Sequence, residues 1–195
     1  MKNKGLIIAG VIAAIVVIWF IASYNGLVDK QEGIKRSWSQ VENVYQRRMD
    51  LIPNLVETVK GYAAQEREVF TEVTRLRSQV GQMKISGDVL DDPAAVAKYQ
   101  QAQSELGSAL SRLLVVSENY PDLKSNQNFL ALQSQLEGTE NRISVERKRF
   151  IDTVQEYNSA VRKFPTKLVA AIGGFSEKEY FEAEQGAEQA PKVEF

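Results

Sequence analysis

The chain has 195 residues, 24 Lys and Arg against 25 Asp and Glu, a formal charge of −1, and neither His nor Cys. That balance gives no electrostatic case for a nucleic-acid partner. The two missing residue types exclude disulfides, thiolate and imidazole metal sites, cysteine nucleophiles and Ser-His-Asp triads, leaving carboxylate pairs, Lys, Ser and Tyr as catalytic options.

The first element is GLIIAGVIAAIVVIWFIAS, residues 5–23, which carries no charge. As a helix it is about 28 Å long, close to the roughly 30 Å hydrocarbon core of a bilayer. Its uninterrupted apolar run is too long for the apolar region of a secretory signal, and Ile21-Ala22-Ser23 is a poor cleavage site. The segment is therefore expected to be a retained single-pass anchor, built on Leu6, Ile7, Ile8, Val11, Ile12, Ile15, Val16, Val17, Ile18, Trp19, Phe20 and Ile21. Trp19 and Phe20 stand where an aromatic belt belongs. Gly10 and Ala14 form a small-xxx-small pair suited to close helix approach. Lys2 and Lys4 on one side, against Lys30, Lys35 and Arg36 further away on the other, favour a cytoplasmic head and an extracytoplasmic body.

Beyond Ser23, apolar residues recur with 3,4 spacing and no strand-type alternation competes. The first stripe runs Ile34, Trp38, Val41, Tyr45, Arg48, Ile52. The second runs from Leu55 to Met83, the third from Val96 to Leu113, and the fourth from Phe129 to Phe164. Breaks are expected at Pro53, the alternative being a kink in one long helix, at Gly81–Asp92 ending in the cap-and-proline pair Asp92-Pro93, at Tyr120-Pro121, and at Pro165, with Ser125 or Asn126 capping the last long helix. These signals predict helices near 27–50, 53–82, 93–119 and 125–164. The fold class is all-α: an N-terminal single transmembrane helix followed by an antiparallel up-and-down four-helix bundle. The expected divisions are 1–23 for the head and anchor, 24–175 for the bundle, and 176–195 for a tail. Its Glu-rich composition predicts disorder, although Tyr180 and Phe181 are suited to docking.

Five polar residues fall on the stripes: Arg48, Glu66, Gln103, Glu140 and Arg147. Either they lie at stripe edges with their stems along apolar surface, or they form an interior polar layer. A carboxylate metal site from Glu66, Glu105 and Glu140 lacks the usual second ligand type, so neither metal nor cofactor is expected. In the predicted topology the fourth helix outruns the first and returns towards the bilayer. Lys148, Arg149, Arg162, Lys163 and Lys167 then either face solvent or meet anionic headgroups.

Several stretches together resemble the LemA family of bacterial membrane-anchored proteins. They are YNGLV at 24–28, SWSQVENVYQRRMDLIPNLVETVKGYA at 37–63, LEGTENRISVERKRFIDTVQEYN at 136–158, FPTKL at 164–168 and YFEAEQGAEQAPKVEF at 180–195. The chain departs from the family at Gln65, where members often carry His. The resemblance implies a membrane helix followed by a four-helix bundle, a location in the bacterial inner membrane, and no established enzymatic activity. Genes of the family often lie beside those of membrane-linked proteases and TPM-domain proteins, which implies envelope maintenance. The expected function is a non-enzymatic membrane-anchored scaffold binding a protein partner or itself, a membrane protease system being one candidate. The alternative is a sensor of lipid surfaces or envelope stress.

Overall fold

The structure is a computed structural model and describes residues 2–83, 90 and 92–181. Among these it is all-α, with α1 (Lys2–Lys60), α2 (Arg67–Gln82), α3 (Pro93–Ser117), α4 (Pro121–Lys124), α5 (Gln127–Arg162) and α6 (Thr166–Gly173). The expected caps hold. Asp92 accepts hydrogen bonds from the amides of Ala94 and Ala95 at 3.0 and 3.3 Å, with Pro93 in the first turn of α3. Asn126 Oδ1 accepts from the Phe129 amide at 3.0 Å and so starts α5. Residues 182–195, the larger part of the predicted disordered tail, lie outside the described residues.

The break expected at Pro53 does not occur, and α1 continues through it to Lys60. A proline inside a helix costs roughly 3 kcal/mol, because it lacks an N–H and crowds the carbonyl four residues earlier. That carbonyl belongs to Met49, and Arg77 Nε of α2 donates to it at 3.0 Å. Ile52, Leu55 and Val56 beside the proline are buried, at about 1.5–3 kcal/mol each. Three such residues outweigh one proline. The chain breaks instead at 61–66, after Gly61, so the predicted 53–82 helix is two helices. Helix α6 was not foreseen either. Its C-terminus closes on Gly174 at φ +74°, a conformation that favours glycine.

The chain divides into two compact units. The first comprises residues 1–38 and 149–180. Its core joins Leu27, Ile34 and Trp38 of α1 to Phe150, Val154, Tyr157 and Val161 of α5 and to Val169 and Ala170 of α6. Trp38 meets Phe150 edge-on, with ring centroids 5.4 Å apart. The segment after α6 is held by Asn158, which is buried. Its Nδ2 donates to the Lys178 carbonyl and its Oδ1 accepts from the Lys178 amide, both at 2.8 Å. Phe164, the last member of the fourth stripe, is 81% exposed, because α5 ends two residues before it and the helical phase is lost.

The second unit comprises residues 39–148 and 181–195. Its core draws Val41, Tyr45 and Leu55 from α1, Val73 and Leu76 from α2, Leu106 and Leu113 from α3, and Phe129, Leu136 and Ile143 from α5. The predicted stripes are the buried faces here except around the 61–66 break, where Tyr62 of the second stripe is exposed and Ala63 and Phe70 are buried instead. Phe181 is buried as well, with the Arg147 guanidinium carbon 5.0 Å from its ring centroid.

If Arg77 serves the carbonyl that Pro53 leaves unpaired, the two positions are coupled. Arg77→Ala is expected to cost about 1 kcal/mol in denaturant titration with Pro53 present. It should cost less in a Pro53→Ala background, where residue 53 supplies its own N–H.

Candidate functional site

Two features stand apart from ordinary core packing, one apolar and one polar. The apolar feature is the start of α1. Leu6, Ile7, Ile8, Val11, Ile12, Ile15, Val16, Val17, Ile18 and Ile21 are each more than half exposed, and Trp19 and Phe20 are half-buried. Its most apolar 18-residue window has a mean hydropathy of 2.9, and none of that window is buried within the chain. Removing ten large aliphatic side chains from water is worth on the order of 10–20 kcal/mol. An α-helix satisfies its own backbone hydrogen bonds, so it can make that transfer into lipid. This N-terminal helix fits a single-pass membrane anchor.

The polar feature lies in the second unit and gathers three of the five stripe residues. Arg48 of α1 has a side chain only 4% exposed. Its Nη1 donates to both carboxylate oxygens of Glu140 on α5, at 3.0 and 3.2 Å. Its Nη2 donates to the Gln103 carbonyl of α3 at 3.0 Å and to the Gln103 side-chain oxygen. The guanidinium also lies 5.3 Å from the Tyr45 ring centroid. Three helices converge on one charge because an isolated buried cation is prohibitively costly. The Glu140 side chain is 43% exposed and keeps part of its hydration. Arg48 Nε and Gln103 Nε2 are buried and have no hydrogen-bond acceptor among the described residues. Both side chains line a polar cleft of about 260 Å³, together with Ser104, Ser108 and Glu140. Gly107 of α3 lies beside the guanidinium, where a Cβ would stand 3.4 Å from Arg48 Nη1.

Arg147 lines the same cleft, half-buried, and also meets Phe181. Glu66 is elsewhere. It sits in the 61–66 break before α2 and accepts from the Tyr120 hydroxyl at 3.1 Å, while Gln65 Nε2 donates to that hydroxyl at 3.2 Å. Glu105 is exposed and accepts from Gln101. Glu66, Glu105 and Glu140 are therefore not brought together, and no cluster of three metal-ligating residues occurs among the described residues. Tyr99 is buried, as its place on the third stripe predicts, but the sequence does not single out its hydroxyl. Its ring packs edge-on against Tyr45 at 5.7 Å, and burial pushes its hydroxyl up from 10.0 to about 12, with the neighbouring Gln103 side chain acting in the opposite direction. Its place on the third stripe one turn before Gln103 was the available signal.

Comparison with known proteins agrees with the sequence resemblance. A family model described as the LemA family matches residues 37–195. At 30% identity the chain is similar to magnetosome protein MamQ of Magnetospirillum gryphiswaldense, the match covering 81% of this chain and 64% of that protein. MamQ 2 of Paramagnetospirillum magneticum is 29% identical, with 88% and 71% covered. Protein LemA of Metamycoplasma hominis is 24% identical, with 77% and 65% covered. The chain thus spans slightly less than two thirds of the length of the first of these relatives.

Two outcomes follow from the Arg48 cluster. Glu140→Ala is expected to destabilise the protein by about 1–3 kcal/mol, because it leaves a buried guanidinium without its counter-charge, and Arg48→Met added to it should restore part of the loss. Thermal melts of the single and double variants measure this. The second concerns alkaline pH. Tyr99 stays neutral in the folded chain above the pH at which it ionises when unfolded. Its contribution is fully present below about pH 10 and is lost as pH rises towards about 12. Tyr99→Phe should flatten that alkaline decline in a pH series of melts.

Proposed function

This chain belongs to the LemA family, and on that premise we propose that it is a non-enzymatic, membrane-anchored interaction protein of the bacterial envelope. The observation that carries the reading is the unburied apolar start of α1, whose side chains find no partner within the fold. Among the described residues the remainder is helical, and that helix holds it at the membrane. Its role is to present a surface there to a protein partner or to a second copy.

Two further observations favour interaction over chemistry. The chain has no His and no Cys. Its stripe carboxylates Glu66 and Glu140 are engaged in separate contacts that fix helices, with Tyr120 and Arg48 respectively. The flanking charges Lys2 and Lys4 against Lys30, Lys35 and Arg36 support an extracytoplasmic body.

The test uses the natural absence of cysteine. After alkaline extraction of membranes, the chain should stay in the pellet, and deletion of residues 5–23 should release it. A Gln155→Cys variant should react with a membrane-impermeant maleimide in intact spheroplasts. Crosslinking in those membranes should yield discrete adducts of the full chain. A chain that remains soluble after gentle lysis would overturn the anchor, and one that yields no adduct at any crosslinker length would overturn the interaction role.

A further inference from the structure

A second apolar surface is exposed in the first unit, apart from the α1 segment. Helix α6 turns Val169 and Ala170 into the core of that unit. Leu168 and Ile172, four residues apart and hence on one helical face, are 55% and 74% exposed. Phe164, in the connection before the helix, is 81% exposed. Three large apolar side chains are thus left to solvent within nine residues, an exposure of the kind that marks a contact surface.

What covers this patch follows from where it lies. The C-terminal end of α6 packs against Tyr24, the residue directly after the apolar segment 5–23. A Cβ on Gly173 would stand 3.1 Å from Tyr24 Cε2, and Phe175 meets the Tyr24 ring edge-on at 5.3 Å. If residues 5–23 span a bilayer, Tyr24 marks its boundary with water, and α6 is held at that boundary. Lys163 and Lys167 lie beside the apolar face and are exposed, as is Arg162, which pairs with Glu177 at 3.8 Å. This combination of an apolar face and cationic flanks is that of a helix lying in the interface plane.

We propose that α6 is a second membrane contact, an in-plane helix that inserts Leu168 and Ile172, with Phe164 of the preceding connection, into the headgroup–acyl boundary of an anionic bilayer. The inference rests on the anchor reading of residues 5–23 and adds a surface which that reading does not require. A single spanning helix leaves a body free to swivel about it. A second contact through α6 fixes the orientation of the first unit to the lipid.

The full chain has no cysteine, so single nitroxide labels report depth without background. Labels at Ile12→Cys, Leu168→Cys, Ile172→Cys and Gln155→Cys are compared in vesicles of phosphatidylcholine and phosphatidylglycerol. Accessibility to oxygen and to a water-soluble nickel chelate gives the depth. Ile12 should lie deep in the hydrocarbon. Leu168 and Ile172 should show oxygen access exceeding nickel access, at about 5–10 Å below the headgroups, and Gln155 the reverse. If Leu168 and Ile172 behave like Gln155 while Ile12 is lipid-buried, the α6 contact is overturned and the anchor stands. Should Ile12 itself be aqueous, both fall. Labels at 168 and 172 shielded from both reagents, with spin–spin broadening, would show a second copy covering the face and would also overturn the proposal.

Discussion

A guanidinium without free access to water needs a counter-charge and acceptors for its terminal nitrogens, and that demand organises the second unit. Arg48 draws a carboxylate from α5 and a carbonyl and amide from α3, so three helices share one register point. Apolar stripes alone tolerate a slip by one turn, since one aliphatic side chain replaces another at modest cost. A buried charge does not, because a slipped register separates Arg48 from Glu140 and leaves a cation in a low-dielectric interior. The surrounding Leu, Ile and Val residues supply most of the driving force, and the charge cluster selects among the packings they would accept.

The link between Pro53 and Arg77 works on the backbone in the same way. A proline in a long helix frees a carbonyl, and a freed carbonyl seeks a donor. Arg77, 28 residues on, provides it. The two residues make α1 and α2 neighbours by a specific polar contact as well as by apolar burial. In the first unit the corresponding part is played by aromatic edges, Trp38 on Phe150 and Tyr24 on Phe175.

Much of this was legible in the residues and some was not. The helices, their buried faces and the caps at Asp92 and Asn126 follow from local spacing and short-range chemistry, which a sequence displays directly. The apolar anchor is legible for the same reason. Continuity through Pro53 was not, because it depends on an arginine brought close only by folding. Gly61 held the signal for the true break, yet an apolar pattern that resumed beyond it concealed the interruption. Arg48, Gln103 and Glu140 were recognisable as polar residues on apolar stripes, but which partner each would choose depends on the packing of three separate helices. Glu66 fits the second stripe by spacing and lies off it, because that stripe is interrupted at 61–66. Phe164 was assigned to the core by periodicity, and periodicity ends where the helix does.

Asn158 grips residue 178 by its main chain alone, in the manner of one β-strand reading another. Such a grip is indifferent to the side chain it holds. The hold itself asks only for an amide hydrogen and a carbonyl at that place, which every amino acid except proline supplies.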